Sequence, residues 1–247
     1  MITFNGVSST AYSDIISVQR IRRPLAPGAR AQVLDIVGRE GSYYFGKDRR
    51  SQTISFRLAL NSTSIADRRA AIRQIAYWLD TEEQKVLSFT DESDLIYYAV
   101  LSEAIPVDEF ATVGFADVSF FIPDGCAYSS SITEVSSTGT YTTFNNQGTL
   151  DANVVMEATL NEASTEDFKL SLTDETYITV EPSTAGFSIS DEVIVDTATR
   201  AVTLNDVDVQ DKVTIDSTFF KLPIGGGKVT PDPISTSLTL KFRQRFI

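Results

Sequence analysis

Histidine is absent from this 247-residue chain, and cysteine and tryptophan occur once each, as Cys126 and Trp78. The first absence removes a Ser-His-Asp triad, a Cys-His pair and histidine-ligated zinc together, because each needs an imidazole as base or ligand. A single cysteine excludes an intramolecular disulfide and any multi-cysteine metal site. With no imidazole to activate it, Cys126 reads as a small buried or half-buried side chain after a strand. Long hydrophobic runs are missing as well: no segment approaches the roughly 20 apolar residues that cross a bilayer as a helix. The opening Met1-Ile-Thr-Phe-Asn-Gly6 has neither the basic start nor the apolar stretch of an export signal. The expectation is a soluble product folded in the cytoplasm, without membrane insertion.

Positive charge is in deficit, 21 Lys and Arg against 33 Asp and Glu, for a net charge of -12. That argues against sequence-specific nucleic acid binding, which rests on clustered Lys and Arg. The distribution says more than the sum. Arg20 to Arg73 holds twelve basic and four acidic residues, whereas Asp80 to Asp124 holds one basic residue, Lys85, and eleven acidic ones. Either the two blocks neutralise each other within a subunit or lie on solvated faces, or a positive surface meets a negative one on an identical neighbour, as head-to-tail packing permits. On the second reading the candidate interface residues are Arg20, Arg22, Arg23, Arg30, Arg39, Arg49 and Arg50.

Hydrophobic residues at 42% and charged residues at 22% are those of a globular protein, so the chain has a core to bury. Alternation of apolar and polar residues predicts strands at Ile15–Ile21, Ala31–Val37 and Thr53–Leu60, with loop chemistry at 22–30 and a turn at Gly38-Arg-Glu-Gly41. This is the pattern of a hairpin that projects from the body. Ser64-Ile-Ala-Asp67 has capping-box spacing, and Ile65, Ile72, Ile75, Ala76 and Leu79 fall near one helical stripe, with Arg68, Arg69 and Arg73 pointing elsewhere. Lys85–Phe89, a turn at Asp91–Asp94, Leu95–Leu101 and Ala111–Ile122 complete an α+β domain over 1–129, its one helix packed on a β-sheet.

From Ser129 the composition turns small and polar, and the second domain, 130–247, shows short strands about ten residues apart with no helical period. Those at 154–160, 168–172, 177–180, 192–195, 201–204, 213–215 and 238–242 indicate a β-sandwich, with turns at Asp196–Arg200 and Asn205-Asp206. The fold class is therefore mainly β.

Motifs that suggest chemistry are incomplete. Gly186-Phe-Ser188-Ile-Ser190 lacks the closing glycine of a nucleophile elbow. Gly225-Gly-Gly-Lys228 has Val229 where a phosphate loop needs Ser or Thr, and reads as a flexible loop before the last strand. Asp206, Asp208 and Asp211 lack the glycine and terminal glutamate of a calcium loop. Acidic pairs such as Glu166 and Asp167 are expected by chance among so many carboxylates. No catalytic residue, metal or cofactor is assigned. A carbohydrate-binding module is the rival to a structural role, because β-sandwiches often carry lectin sites, although sugar stacking wants exposed aromatic faces and Trp78 sits on the predicted helix.

Met1–Gly6, Ile16-Ser-Val-Gln-Arg-Ile21, the helix followed by Leu95-Ile-Tyr-Tyr-Ala-Val-Leu101, and Ala116–Gly125 with Ala127-Tyr128 together resemble the N-terminal domain of siphophage distal tail proteins. The likeness continues through Phe144-Asn-Asn-Gln-Gly-Thr149, the paired strands of 191–206, Phe220–Gly227 and Lys241–Arg245, in that order. It implies a structural protein of the phage tail tip, in the virion and assembled in the bacterial cytoplasm. It also implies a homohexameric ring of N-terminal domains around a DNA channel, a peripheral galectin-like sandwich, and a belt loop near 25–44 that reaches the next subunit. The partners implied are the major tail tube protein, a tail-associated tip protein, the tape-measure protein and receptor-binding proteins.

Overall fold

Ile54, Phe56, Leu58 and Leu60 alternate with polar residues and are all at most 2% exposed, which is how a strand behaves when one face meets a core. The computed structural model describes residues 1–61, 64–102, 107–109, 113–172, 176–233 and 236–247. They divide into two compact units, Met1–Ser130 with Ile247, and Ser131–Phe246.

The first unit runs β1 (Ile2–Phe4), β2 (Val7–Ser8), β3 (Ile16–Arg22), β4 (Ala29–Asp35), β5 (Ser42–Arg49), β6 (Gln52–Asn61), α1 (Ile65–Leu79), β7 (Lys85–Phe89), β8 (Glu92–Leu101), β9 (Val107–Glu109), β10 (Val113–Ile122) and β11 (Ala127–Ser129). Residues 111 and 112 of the strand expected from Ala111 lie outside the described residues. Hydrogen bonding links the strands in the order β2-β1-β7-β8-β10-β6-β3. The path curves back on itself: Phe4 of β1 packs 4.5 Å from Phe120 of β10, and Phe120 lies 5.6 Å from Phe56 of β6. Those aromatic rings fill the space between the β1–β7 side and the β3–β6–β10 side.

The loop between β7 and β8 is tighter than Asp91–Asp94. Phe89 already pairs with Glu92, so Thr90-Asp91 makes the turn and β8 starts three residues early. The helix begins where its cap predicts, with the Ser64 hydroxyl accepting from the Asp67 N–H at 3.1 Å. Its buried stripe differs from the expected one: Arg68, Ala71, Ile75, Trp78 and Leu79 are inside, while Ile65 and Ala76 are exposed. Trp78 sets this rotation, because its indole N–H donates to the Phe4 carbonyl at 3.1 Å and its ring meets Tyr12 at 5.1 Å.

The second unit runs β12 (Thr133–Ser137), β13 (Thr142–Asn146), β14 (Val154–Thr159), β15 (Phe168–Leu172), β16 (Tyr177–Val180), β17 (Glu192–Asp196), β18 (Ala201–Leu204), β19 (Val207–Asp208), β20 (Gly225–Asp232) and β21 (Ser237–Phe242), followed by a two-residue strand at Arg245–Phe246. One sheet has the order β12-β21-β14-β17-β18-β19 and the other β13-β20-β15-β16. A single core containing Met156, Val193 and Leu240 from the first, and Phe168, Ile178 and Val229 from the second, makes them a sandwich. Gly225-Gly-Gly-Lys228, expected as a flexible loop, instead opens an inner strand, Gly225–Asp232, between β13 and β15. A Cβ on Gly227 would lie 2.3 Å from Phe144 Cζ, so glycine is there to let that aromatic ring cross the strand. Val213 makes only an isolated bridge to Val180, after a 3-10 turn at Gln210–Lys212.

Candidate functional site

β4 and β5 pair with each other and, among the described residues, with no other strand. Their register closes from Ala29 opposite Arg49 to Asp35 opposite Ser42, across a turn in which Gly38 and Gly41 take φ of +85° and +79°. Side-chain links brace both ends: Gln32 donates to Asp48 at 2.6 Å, the Ser42 hydroxyl donates to Asp35, and the Arg39 guanidinium lies 3.7 Å over the Tyr43 ring. A bulge between Gln32 and Val33, where Gly46 adopts φ +125°, pushes out Phe45. At the foot, Arg50 N–H donates to the Gly28 carbonyl at 2.8 Å.

Nearly every residue of this hairpin is exposed, including its large apolar ones: Val37 fully, Phe45 at 66%, Tyr44 at 63%, and Val33, Leu34 and Tyr43 at about half. A two-stranded ribbon that buries no face is marginal in water, and a contiguous apolar patch on a monomer marks a place for a partner. The side chains carry recognition by contact and have no arrangement suited to bond chemistry. Among the described residues, no three metal-ligating side chains converge.

The structure sorts the candidate arginines into three places. Arg30, Arg39, Arg49 and Arg50 belong to the hairpin or its foot, and are exposed. Arg20 and Arg22 stand on the outer face of β3, beside a hollow of about 170 Å³ lined also by Ser55, Arg57, Asp117 and Ser119. Arg23 is held within its own unit: it donates to Asp91 at 2.7 Å and Glu92 at 2.9 Å, and its guanidinium sits 4.0 Å over Phe89. Sequence reasoning missed Arg57, which meets Asp117 in a two-point ion pair at 2.8 and 2.6 Å because β6 and β10 place them directly opposite. The available signal was the pairing of two long alternating strands.

Electrostatics follow from this geometry. The hydrogen bond from Arg57 lowers the Asp117 pKa, and the nearby charges of Arg57, Arg22 and Arg20 act in the same direction. Asp91 is lowered chiefly by its bond from Arg23. Burial raises the Tyr97 hydroxyl, with the Glu92 charge adding to it.

Comparison with known proteins gives two family matches, the phage tail protein RIFT-related domain over residues 11–122 and the C-terminal domain of siphovirus-type tail components over residues 147–246. Among solved structures, the chain superposes on SPP1 Dit, described as a paradigm of hub adsorption apparatus in phages infecting Gram-positive hosts. The TM-score is 0.85 at 16% identity, covering 100% of this chain and 98% of that one. A component of the phage p2 baseplate in its activated conformation matches with a TM-score of 0.50 at 8% identity, over 92% and 90% of the two chains. These structural likenesses speak to the fold. Among curated protein sequences there is no match.

Proposed function

Because the chain belongs to the siphophage distal tail proteins, structural components of the tail hub in the virion, we propose that six copies close into a ring through their first units and leave a channel for DNA. The observation that carries this reading is the β4–β5 hairpin, whose exposed Tyr44 and Phe45 have no covering surface among the described residues. Laid on the next copy, the hairpin buries its apolar side chains, and its open strand edges become available for backbone pairing. Each copy gives an arm and receives one, so the contact repeats around a closed rotation. The two ends of such a ring present different surfaces, one toward the tail tube protein and one toward the tip protein, with the tape-measure protein on the axis during assembly. Arg20, Arg22, Arg30, Arg39, Arg49 and Arg50 belong to this subunit contact, while Arg23 supports the fold beneath it.

Native mass spectrometry and negative-stain imaging of the purified chain, alone and with its tail partners, test the proposal. A six-copy ring is expected for the wild type, and loss of it for Tyr44→Ser with Phe45→Ser, with the unfolding curve unchanged. Rings that persist in the double variant would remove the hairpin from the contact.

A further inference from the structure

The outer face of β3–β6–β10 is a small basic surface. Asp117 is bound to Arg57, and Arg20 and Arg22 flank that pair with no ion pair of their own among the described residues. Among the described residues of this hollow, one carboxylate faces three guanidinium groups. The loop after α1 has the opposite sign: Asp80, Glu82 and Glu83 are exposed, and among the described residues only Glu83 has a cationic partner, Lys85 at 2.9 Å. Trp78 ties this end of α1 to β1 through the Phe4 carbonyl. The Phe4–Phe120 contact, at the centre of the core, separates β1 from the inner face of β10. Among the described residues, no ion pair joins the basic surface to the acidic loop within one copy.

We propose that the Arg20 and Arg22 surface of one copy docks on the Asp80–Glu83 loop of the next. This deepens the ring reading and rests on it. A two-fold contact through either patch would set like charge against like charge, which disfavours a symmetric dimer. Two distinct patches of opposite sign favour head-to-tail succession, the arrangement that closes into a ring. Glu82, exposed and without an ion pair, and Glu83, whose ion pair with Lys85 is mostly solvated, lose little by exchanging water for guanidinium.

Charge exchange tests the contact on the full chain. Arg20→Glu with Arg22→Glu, or Glu82→Lys with Glu83→Lys, is expected to raise the concentration for half-assembly by about tenfold or more. Carrying all four substitutions is expected to restore it to within about threefold of wild type, since the pairing is then reversed but intact. Arg20→Gln with Arg22→Gln is a milder version, expected to give an intermediate loss, and circular dichroism checks that each variant folds. Assembly insensitive to either reversal, or the two reversals failing to rescue each other, overturns the contact. A wild type that stays monomeric at every concentration, alone and with tail partners, overturns the ring reading itself and is seen before any variant is made.

Discussion

The carbonyl oxygen of Arg50 stands 2.2 Å from where a Cβ on Gly125 would be, so the turn after β10 lies directly on the foot of the β4–β5 hairpin. Gly125 also takes φ +59°, a backbone conformation that side chains resist. Gly125→Ala is expected to cost about 2 to 4 kcal/mol and to make the hairpin foot more sensitive to protease. An unchanged denaturant midpoint would mean that the turn can step aside.

Arg23 joins β3 to the β7–β8 turn through two carboxylates and the Phe89 ring, with its side chain only 24% exposed. Arg23→Ala is expected to lower stability by roughly 1 to 2 kcal/mol near neutral pH, combining a cation–π contact with partly solvated ion pairs. The pH dependence has a definite sign. Asp91 has its carboxyl pKa depressed on folding, so its contribution is complete above the ordinary carboxylate pKa and is lost as pH falls through the lowered value. The gap between wild type and variant should therefore narrow in strong acid to the part contributed by the Phe89 ring; a gap of constant size in denaturant titrations across that range would contradict the assignment.

In the second unit, Gly227→Ala forces a Cβ into the buried Phe144 ring. A loss of about 1 to 3 kcal/mol is expected, the usual range for overpacking. Combined with Phe144→Leu, the losses should fall short of their sum, because the smaller side chain makes room. Strict additivity by thermal unfolding would show that the two residues do not meet.

The β18–β19 turn carries Asn205 and Asp206 at φ +50° and +64°, and Asn205 accepts from the Glu192 N–H at 2.9 Å while donating to Asp191 at 2.9 Å. Asn205→Val removes both bonds and puts a β-branched residue in a left-handed conformation, for a loss of about 2 kcal/mol or more. Asp206→Gly should be neutral or slightly stabilising, as a two-residue turn with both φ positive favours glycine there. Equal effects of the two changes would refute this account of the turn.

What was legible in the sequence follows the physics of each element. Alternation reveals β6, because one side of it is uniformly buried, and the first hairpin strand, with turn glycines after it; β5, exposed on both faces, carries no such signal. The helix was found from Ser64 and Asp67, yet its buried face was misjudged: the Trp78 hydrogen bond to Phe4 is a long-range contact that no local period encodes. β20 was invisible for a related reason. Three glycines in succession read as a loop, and only the Phe144 ring lying across Gly227 explains a strand without side chains. The stretch from Phe144 to Thr149 was recognised by likeness alone. Its reason is that Asn146, fully buried, donates to the Leu150 and Leu222 carbonyls, while Gly148 leaves room for the backbone of Arg245. At the candidate site, charge clustering alone does not separate Arg23, clamped internally, from Arg20 and Arg22, which face solvent.

The apolar tip of the hairpin has a cost before any assembly takes place. A lone chain displays Tyr44, Phe45 and Val37 to water, and any greasy surface of this kind is a temptation to clump. Asp35, Arg39, Glu40 and Lys47 punctuate that stretch with charge and slow indiscriminate sticking. An isolated preparation should accordingly grow more prone to precipitate as its concentration rises, and a mate that sheathes the ribbon should keep it in solution.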